Sequence, residues 1–289
     1  MKKSISLSLA VLAAALCVRA EIPADDLLNE GKLIALLQKA DTSDNDKVTA
    51  CQNLGWCGTQ AALAPLSALL ANEKPVLRHA ARYGLEMIPD PAVEAVFCEA
   101  AGRLSGPALV GVLQSLGNRG GAKAVALLSG KIGDSDRGVA EAAVQSLGKL
   151  ATSEAMAALK AGLGKSPDVA VAYLNGAGKV AAADPAKAAV FYADILGAKE
   201  NVTSGTRLAA LRGVIVAAGK EGLRLWEGAI ASADADTVDT ALRAALDCPK
   251  SDEATAAFAA ALAKVPAAQA RLATVLGQRG DKAAVPALA

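Results

Sequence analysis

The stretch CQNLGWCGTQAALAPLSALLANEKP, residues 51–75, decides the fold when it is set beside VQSLGKLATSEAMAALKAGLGKSPD, residues 144–168. Both stretches begin with the end of a helical pattern that reaches a Leu-Gly pair. A short polar turn follows, and then a second apolar run, in which residues such as Leu63, Leu66 and Leu70 share one helical face. Each stretch ends in a turn with proline, where a helix stops or restarts. The shared order predicts that one helix–turn–helix unit recurs along the chain.

The Leu-Gly pair marks the period of this repeat. The interval between successive markers is 31 residues three times in succession, then 30, 34, 35 and 30. The markers are Leu54-Gly55, Leu85-Glu86, Leu116-Gly117, Leu147-Gly148, Ala177-Gly178, Leu211-Arg212, Leu246-Asp247 and Leu276-Gly277. A fixed period of this length indicates a solenoid of helix pairs. The glycine after the marker leucine either lets two helices approach closely or ends the first helix.

The helix pairs predict an all-α solenoid of about eight repeats. Two helices of about 12 residues bury one face against each other and leave another face for the next pair, so neighbouring pairs stabilise one another. Turns are predicted at Asn72 to Pro75, Pro89 to Pro91, Gly133 to Asp136, Ser166 to Asp168 and Asp184-Pro185, where proline and capping residues cluster. We predict three segments: a signal peptide over 1–20, an extension over 21–31, and the solenoid over 32–289.

Two stretches resemble the HEAT-repeat family, in particular the short bacterial HEAT-like units related to those of phycobilisome lyases. They are PVLRHAARYGLEMI from Pro75 and GVAEAAVQSLGKLATSEAMAALKAGL from Gly138, which are similar to a Pro-Val-Arg-x-Ala-Ala-x-x-Leu-Gly core. The resemblance spans Leu33 to Leu288 and is strongest from Val48 to Leu163. It departs from the family in that the arginine is clear only at Arg78. The resemblance implies an α-solenoid that presents a concave helix face to a protein partner, and it implies no chemistry.

Composition and charge argue against nucleic-acid binding. The 289 residues are 53% hydrophobic and 3% aromatic, and 30 basic residues nearly balance 29 acidic ones. No basic excess is present to neutralise phosphates. We therefore expect a protein partner of unknown identity and no nucleic acid.

The N-terminus has the pattern of a secretory signal. Lys2 and Lys3 precede an apolar stretch from Ile5 to Leu16 that is short for a membrane span. Cleavage after Ala20 fits the small residues before it and predicts a periplasmic or secreted bacterial protein without a later transmembrane helix. A lipid anchor at Cys17 is the alternative, although the preceding Leu16 does not suit it. Cleavage after Ala20 also removes Lys2, Lys3 and Arg19, so the formal charge changes from +1 to −2.

Four cysteines follow the signal, and their pattern favours structural roles. A disulfide among Cys51, Cys57 and Cys98 is one prediction, and buried free thiols at helix contacts are the other. Cys248 is isolated in the sequence and is expected to be a free thiol. The spacing of the cysteines does not suit zinc. We expect no metal and no cofactor.

The sequence offers little material for catalysis. His79 is the only histidine, so the usual acid–base pairs are missing. The segment GLGKS, residues 162–166, lacks the earlier glycine and the strand of a phosphate-binding loop, and we interpret it as a helix end before Pro167. Gly176, Gly178 and Ala181 spell G-x-G-x-x-A inside a helical pattern without a βαβ context. We predict no catalytic residues.

One helix carries a candidate contact patch, formed by Arg78, His79, Arg82, Tyr83 and Glu86. Its aromatic ring and charges are typical of a protein-binding surface. The other interpretation is a solvated ladder, since Arg78, Arg82 and Glu86 are four residues apart and His79 is then an ordinary helix residue.

Trp226, flanked by Arg224 and Glu227 in the irregular sixth unit, is a second candidate contact, with packing at a repeat distortion as the alternative. These features predict an exported, non-enzymatic scaffold for protein–protein interaction. An enzyme or an enzyme-accessory repeat protein, for example a chromophore-lyase-like one, is the alternative function. The last unit, GQRGDKAAVPALA from Gly277, looks incomplete because its second helix has just begun at Ala289.

Overall fold

The computed structural model describes residues 28–289. The predicted signal peptide and its cleavage site lie outside these residues. Seventeen α-helices and one 3₁₀-helix, Lys282–Ala284, form the described part of the chain, and it contains no strand. The α-helices are α1 Glu30–Gln38, α2 Asp44–Cys57, α3 Gln60–Leu69, α4 Pro75–Met87, α5 Ala92–Ala101, α6 Gly106–Arg119, α7 Ala122–Ser129, α8 Arg137–Leu150, α9 Ser153–Gly162, α10 Pro167–Ala181, α11 Pro185–Gly197, α12 Ser204–Ala217, α13 Gly219–Ile230, α14 Ala235–Asp247, α15 Asp252–Ala261, α16 Gln269–Arg279 and α17 Val285–Leu288.

Each predicted marker lies near the end of an even-numbered helix, from α2 to α16. We call these eight helices the marker helices, and the odd-numbered ones the alternate helices. The predicted turns fall between helices, and Pro75, Pro167 and Pro185 each stand in the first turn of a marker or alternate helix, where the missing N–H leaves no hydrogen bond unmade. The predicted alternation of two helices per unit is confirmed.

The chain divides into two compact units. Unit 1 contains the described residues 28–127 with 135–142, and unit 2 contains 128–134 with 143–289. In unit 1 the marker helices α2, α4 and α6 pack in succession, and so do the alternate helices α1, α3 and α5. In unit 2 the same holds for the marker helices α10, α12, α14 and α16 and for the alternate helices α13, α15 and α17. Each unit is therefore an α-solenoid of two helix layers, as predicted.

Hydrogen bonds between repeats carry the sequence period into the structure. In unit 1 side chains bond to residues 29 to 33 positions away, as in the bond from Asn118 Nδ2 to Glu86 Oε2 at 2.7 Å, 32 residues apart. In unit 2 such bonds join residues 26 to 37 positions apart, a wider range that matches the less regular marker spacing there. A side chain thus meets the equivalent helix of the next repeat.

The glycine after a marker lies inside its helix, and in some repeats it allows a neighbouring helix to approach closely. A Cβ atom on Gly148 in α8 would lie 2.5 Å from the Ala172 carbonyl oxygen of α10, too close for any side chain. At Gly277 nothing lies within 4 Å of the equivalent position. Gly55, Gly148 and Gly277 all lie inside their helices, so the prediction that this glycine ends the helix is wrong. Close approach explains the glycine in some repeats only.

The segments at the two ends of the solenoid differ from its middle. Helix α1 begins at Glu30, two residues before the boundary predicted at residue 32. After α16 come the three-residue 3₁₀-helix and α17, which has four residues. Among the described residues, no helix combines the length and the apolar character needed to cross a membrane.

Candidate functional site

Trp226 is a core residue, so its prediction as a partner contact is wrong. Its side chain is 0% exposed, and its ring packs edge-on against Phe258 with 4.5 Å between ring centroids. The indole Nε1 donates a hydrogen bond of 2.9 Å to the Ala241 carbonyl oxygen. The alternative interpretation, packing at a distorted repeat, describes Trp226 correctly.

Arg78 and Arg82 bind backbone carbonyls rather than forming a ladder along α4. Arg78 Nη1 donates to the carbonyl oxygens of Asn72 at 2.7 Å and Glu73 at 2.9 Å, which lie in the turn before the helix. Arg82 Nη1 donates to the Gly111 carbonyl oxygen at 2.9 Å and so braces α4 against α6. A Cβ atom on Gly111 would lie 2.7 Å from the Arg82 guanidinium, so the glycine makes room for it. The interpretation of these arginines as a solvated ladder is therefore wrong.

Electrostatics around Arg82 reflect this brace. Burial lowers the pKa of its guanidinium, the nearby Glu86 carboxylate opposes the change, and the Arg78 charge adds to it. Arg82 Nη2 lies 3.3 Å from His79 Nδ1. His79 and Tyr83 are exposed on α4, and the exposed fraction of Tyr83 is 39%. Of the five residues of the predicted patch, these two are exposed, and Arg78, Arg82 and Glu86 are half-buried.

The structure shifts the predicted marker position by one residue in two repeats. The sequence spacing predicts a marker at Leu246, but this residue is 42% exposed, whereas the preceding Ala245 is fully buried. Likewise Ala210 is fully buried beside the partly buried Leu211. The buried marker position is thus Ala210 in α12 and Ala245 in α14. Because either alanine or leucine can fill the marker position, a search for leucine places the marker one residue too late in these two repeats.

With this register, the residue two positions after the marker is exposed in all eight marker helices. We call this set the outer row, and its members are Trp56, Met87, Asn118, Lys149, Lys179, Arg212, Asp247 and Gln278. Six of the eight are polar or charged. The other two are Trp56, 70% exposed, and Met87, 38% exposed. Large apolar side chains therefore occupy a solvent-facing position in the first two repeats.

Sequence reasoning missed Trp56, although the signal was present. Trp56 follows Leu54-Gly55 directly, at the position where later repeats carry Asn118, Lys149 and Lys179. Aligning the repeats predicts that this position faces solvent, and a tryptophan there is unexpected for a surface without a partner.

Close packing of α2 and α4 brings Trp56 and Met87 into neighbouring positions. A Cβ atom on Gly84 would lie 2.5 Å from the Cys51 carbonyl oxygen, and one on Gly55 would lie 3.0 Å from Met87 Cβ. Met87 therefore lies against the helical turn that carries Trp56. Together with Tyr83, they give the exposed face of the α2–α4 pair an aromatic and apolar character. We call Trp56, Tyr83 and Met87 the apolar patch.

The described cysteines are free thiols, so the predicted disulfide among Cys51, Cys57 and Cys98 is not formed in the structure. Cys51 and Cys248 are buried, in agreement with the packing interpretation. Burial raises the pKa of the Cys51 thiol to about 12 and that of Cys248 to about 11. Within residues 28–289, no group of three His, Cys, Asp or Glu residues is placed to hold a metal ion.

The two glycine motifs lie where the sequence analysis put them. Gly162 is the last residue of α9 and Pro167 the first of α10, so GLGKS is a connection between two helices. Gly176, Gly178 and Ala181 all lie inside α10. The structure thus confirms the helix end at GLGKS and the helical setting of the second motif.

A groove of about 660 Å³ separates the alternate helices α3 and α5 in unit 1. Alanines such as Ala64 and Ala95 line much of it, and none of its lining residues is a His, Cys, Lys or Tyr. Its one carboxylate, Glu99, pairs with Arg103 at 3.4 Å. Ser67 is the one hydroxyl-bearing side chain among its lining residues.

Comparison with known proteins supports HEAT repeats in part of the chain. Residues 89–174 match a family model of HEAT repeats. This region runs from the turn after α4 into α10, and the unmatched remainder includes the apolar patch. No curated protein matches the sequence.

Two solved structures are similar over 90% of this chain. A crystal structure of an engineered protein has 17% identity and a TM-score of 0.39, with 80% of its own chain covered. The complex of CpcE and CpcF of phycocyanin lyase from Nostoc sp. PCC7120 has 20% identity and a TM-score of 0.34, with 99% of its chain covered. At these values the two likenesses carry no argument about function.

Proposed function

We propose that this protein is an exported, non-enzymatic repeat scaffold that binds a protein partner through the exposed face of α2 and α4. The observation that carries the proposal is the apolar patch. Trp56 and Met87 stand at a repeat position that is polar in the other six marker helices, and both are exposed. Tryptophan, tyrosine and methionine are the side chains that protein interfaces enrich.

Large apolar side chains have a higher free energy in contact with water than when a partner buries them. Burying one large apolar side chain contributes about 1.5–3 kcal/mol, so two or three such residues can anchor an interface. The braces around the patch hold it in place, because Arg82 fixes α4 to α6 and the glycine contacts fix α2 to α4. A rigid surface loses little entropy on binding.

The proposal of export rests on the N-terminal sequence. Lys2 and Lys3, the apolar stretch from Ile5 to Leu16 and the small residues before Glu21 fit a cleaved signal. Sequencing the N-terminus of the protein recovered from the envelope fraction tests it. The expected first residue is Glu21, and an intact Met1 in a cytoplasmic fraction would contradict export.

The binding proposal is tested by capturing the tagged protein from its native envelope fraction after mild crosslinking. The variant Trp56→Gln/Met87→Asn places at both positions side chains that equivalent repeats carry at Gln278 and Asn118, so its fold should be unchanged. Gln278→Ala is the matched control at the same repeat position. We expect one partner at constant stoichiometry with the wild type and the control, and its loss with the double variant. Equal recovery with the double variant would refute the proposal.

A further inference from the structure

The sequence Leu-Gly-x-Arg-Gly stands at the end of two marker helices, one in each unit. It reads LGNRG at residues 116–120, at the end of α6, and LGQRG at residues 276–280, at the end of α16. The arginine is the third residue after the marker. In the other six marker helices this position carries an uncharged residue, namely Cys57, Ile88, Leu150, Val180, Gly213 and Cys248. Among the eight marker helices, only α6 and α16 have a charge there.

Arg119 binds the carbonyl end of the preceding marker helix, α4. Its Nη1 donates to the carbonyl oxygens of Glu86 and Ile88, each at 2.7 Å, and its Nη2 donates to that of Asp90 at 3.0 Å. The last carbonyls of a helix have no partner within the helix, and they carry the negative end of the helix dipole. A planar guanidinium can bind several of them at once. Arg119 therefore caps α4 from the neighbouring repeat.

Arg279 makes the equivalent contacts in unit 2. Its Nη1 donates to the Ala245 carbonyl oxygen and, at 2.9 Å, to the Cys248 carbonyl oxygen, both at the end of α14. Its Nε also binds the Asp281 carboxylate at 2.7 Å, and its guanidinium lies 5.1 Å from the centre of the Phe258 ring. The same repeat position thus caps the preceding marker helix in both units.

The cap in unit 1 acts on the turn that carries Met87. The first two carbonyls that Arg119 binds belong to the residues on either side of Met87. Met87 is the last residue of α4, and helix ends fray. The cap in unit 2 instead holds the turn with Asp247, a charged residue of the outer row. Of the two caps, only the one in unit 1 therefore lies next to the apolar patch.

We propose that Arg119 is a positioning residue of the apolar patch. By capping α4 it keeps the last turn of this helix closed and holds Met87 in the neighbouring position to Trp56. A surface that is already ordered loses less entropy when a partner binds. This inference rests on the proposed function, since it names a residue that prepares the same surface for binding.

The first test measures amide hydrogen exchange in the free protein, so it needs no partner. The reporters are the backbone N–H groups of Ile88 and Cys248, which close the last helical turns of α4 and α14. The variants are Arg119→Leu and, as the matched control in unit 2, Arg279→Leu. The milder variants Arg119→Lys and Arg279→Lys keep the charge but replace the planar fork with a single ammonium, and they serve if a leucine variant does not fold.

We expect Arg119→Leu to speed exchange at Ile88 about tenfold and to leave Cys248 unchanged, because the charge-assisted bonds to the end of α4 are lost. Arg279→Leu should speed exchange at Cys248 and leave Ile88 unchanged. Each lysine variant should give a smaller rise at the same amide. Unchanged exchange at Ile88 in Arg119→Leu would overturn the positioning role. An equal rise at both amides would also overturn it, because a general loss of stability would then explain the effect.

The second test repeats the capture from the native envelope fraction after mild crosslinking with the two arginine variants and with Trp56→Gln/Met87→Asn. We expect Arg119→Leu to lower recovery of the Trp56-dependent partner about fivefold and Arg279→Leu to leave it unchanged. Equal recovery with both arginine variants would overturn this inference and leave the proposed function intact. If the double variant captures the same proteins as the wild type, the proposed function fails, and Arg119 is then a helix cap without a role in binding.

Discussion

The two tryptophans of this protein have opposite roles, although the sequence around them gives little hint of it. Trp226 in unit 2 is 0% exposed and contacts Phe258, while Trp56 in unit 1 is 70% exposed. Trp226 occupies an alternate helix, where its large ring fills the space beside small residues such as Ala241 and Ala244. Trp56 occupies the outer row of a marker helix. In a repeat protein, the position within the repeat decides whether a tryptophan packs in the core or is exposed at the surface.

The largest expected effect is on the buried side of this comparison. Trp226→Ala should lower the free energy of unfolding by about 3–5 kcal/mol, because it leaves a cavity in the unit 2 core. Urea unfolding followed by circular dichroism measures it. A loss under 1 kcal/mol would place Trp226 outside the core.

A milder change separates packing from hydrogen bonding at the same residue. Trp226→Phe keeps an aromatic ring but removes Nε1, the donor to the buried Ala241 carbonyl oxygen. We expect a loss of about 1–3 kcal/mol from the unsatisfied acceptor and the smaller ring. The same unfolding assay applies, and stability equal to wild type would show that this hydrogen bond contributes nothing.

The two faces of α2 can be compared through the ionisation of Cys51, which lies buried on the helix that exposes Trp56. Burial raises the pKa of its thiol from 9.0 to about 12 in the folded protein. Because the pKa of this thiol is higher in the folded than in the unfolded protein, the neutral thiol contributes fully to the free energy of unfolding below pH 9. That contribution is lost as the pH rises from 9 towards 12, at up to about 1.4 kcal/mol per pH unit. Urea unfolding from pH 8 to 10.5 should show a steeper decline for wild type than for Cys51→Ala. Parallel declines would contradict a neutral, buried thiol.

The smallest effect on stability is expected at the surface tryptophan. Trp56→Gln should change the free energy of unfolding by less than about 0.5 kcal/mol, because the ring makes no core contact. Thermal and urea unfolding measure it beside Trp226→Ala. A loss above 2 kcal/mol would mean that Trp56 supports the fold, and the comparison of the two residues would fail.

The fold was predictable because its signal is repeated. A spacing of 31 residues between markers reappears as side-chain bonds between residues 29 to 33 apart in unit 1. Where the spacing is less regular, matching leucine to leucine predicts the wrong buried position, because Leu246 is exposed and Ala245 is buried. Burial depends on the helix face on which a residue lies, and either leucine or alanine can occupy the buried position.

The site was only partly predictable, for two physical reasons. Arg82 bonds the Gly111 carbonyl oxygen, 29 residues away, so a pattern read along one helix could not find its partner. Trp56 was recoverable, because an alignment of the repeats marks its position as exposed and polar elsewhere. Exposure of Tyr83 agrees with its place in the predicted patch.

The central claim, that the apolar patch is covered by a partner, is tested most directly by hydroxyl-radical footprinting of the wild-type protein, free and in its captured complex. Mass spectrometry then reports the oxidation of Trp56, Met87 and Trp226 separately. We predict fast oxidation of Trp56 and Met87 in the free protein, protection of both in the complex, and slow oxidation of Trp226 in either state. Equal oxidation of Trp56 in the free and bound protein would contradict the claim.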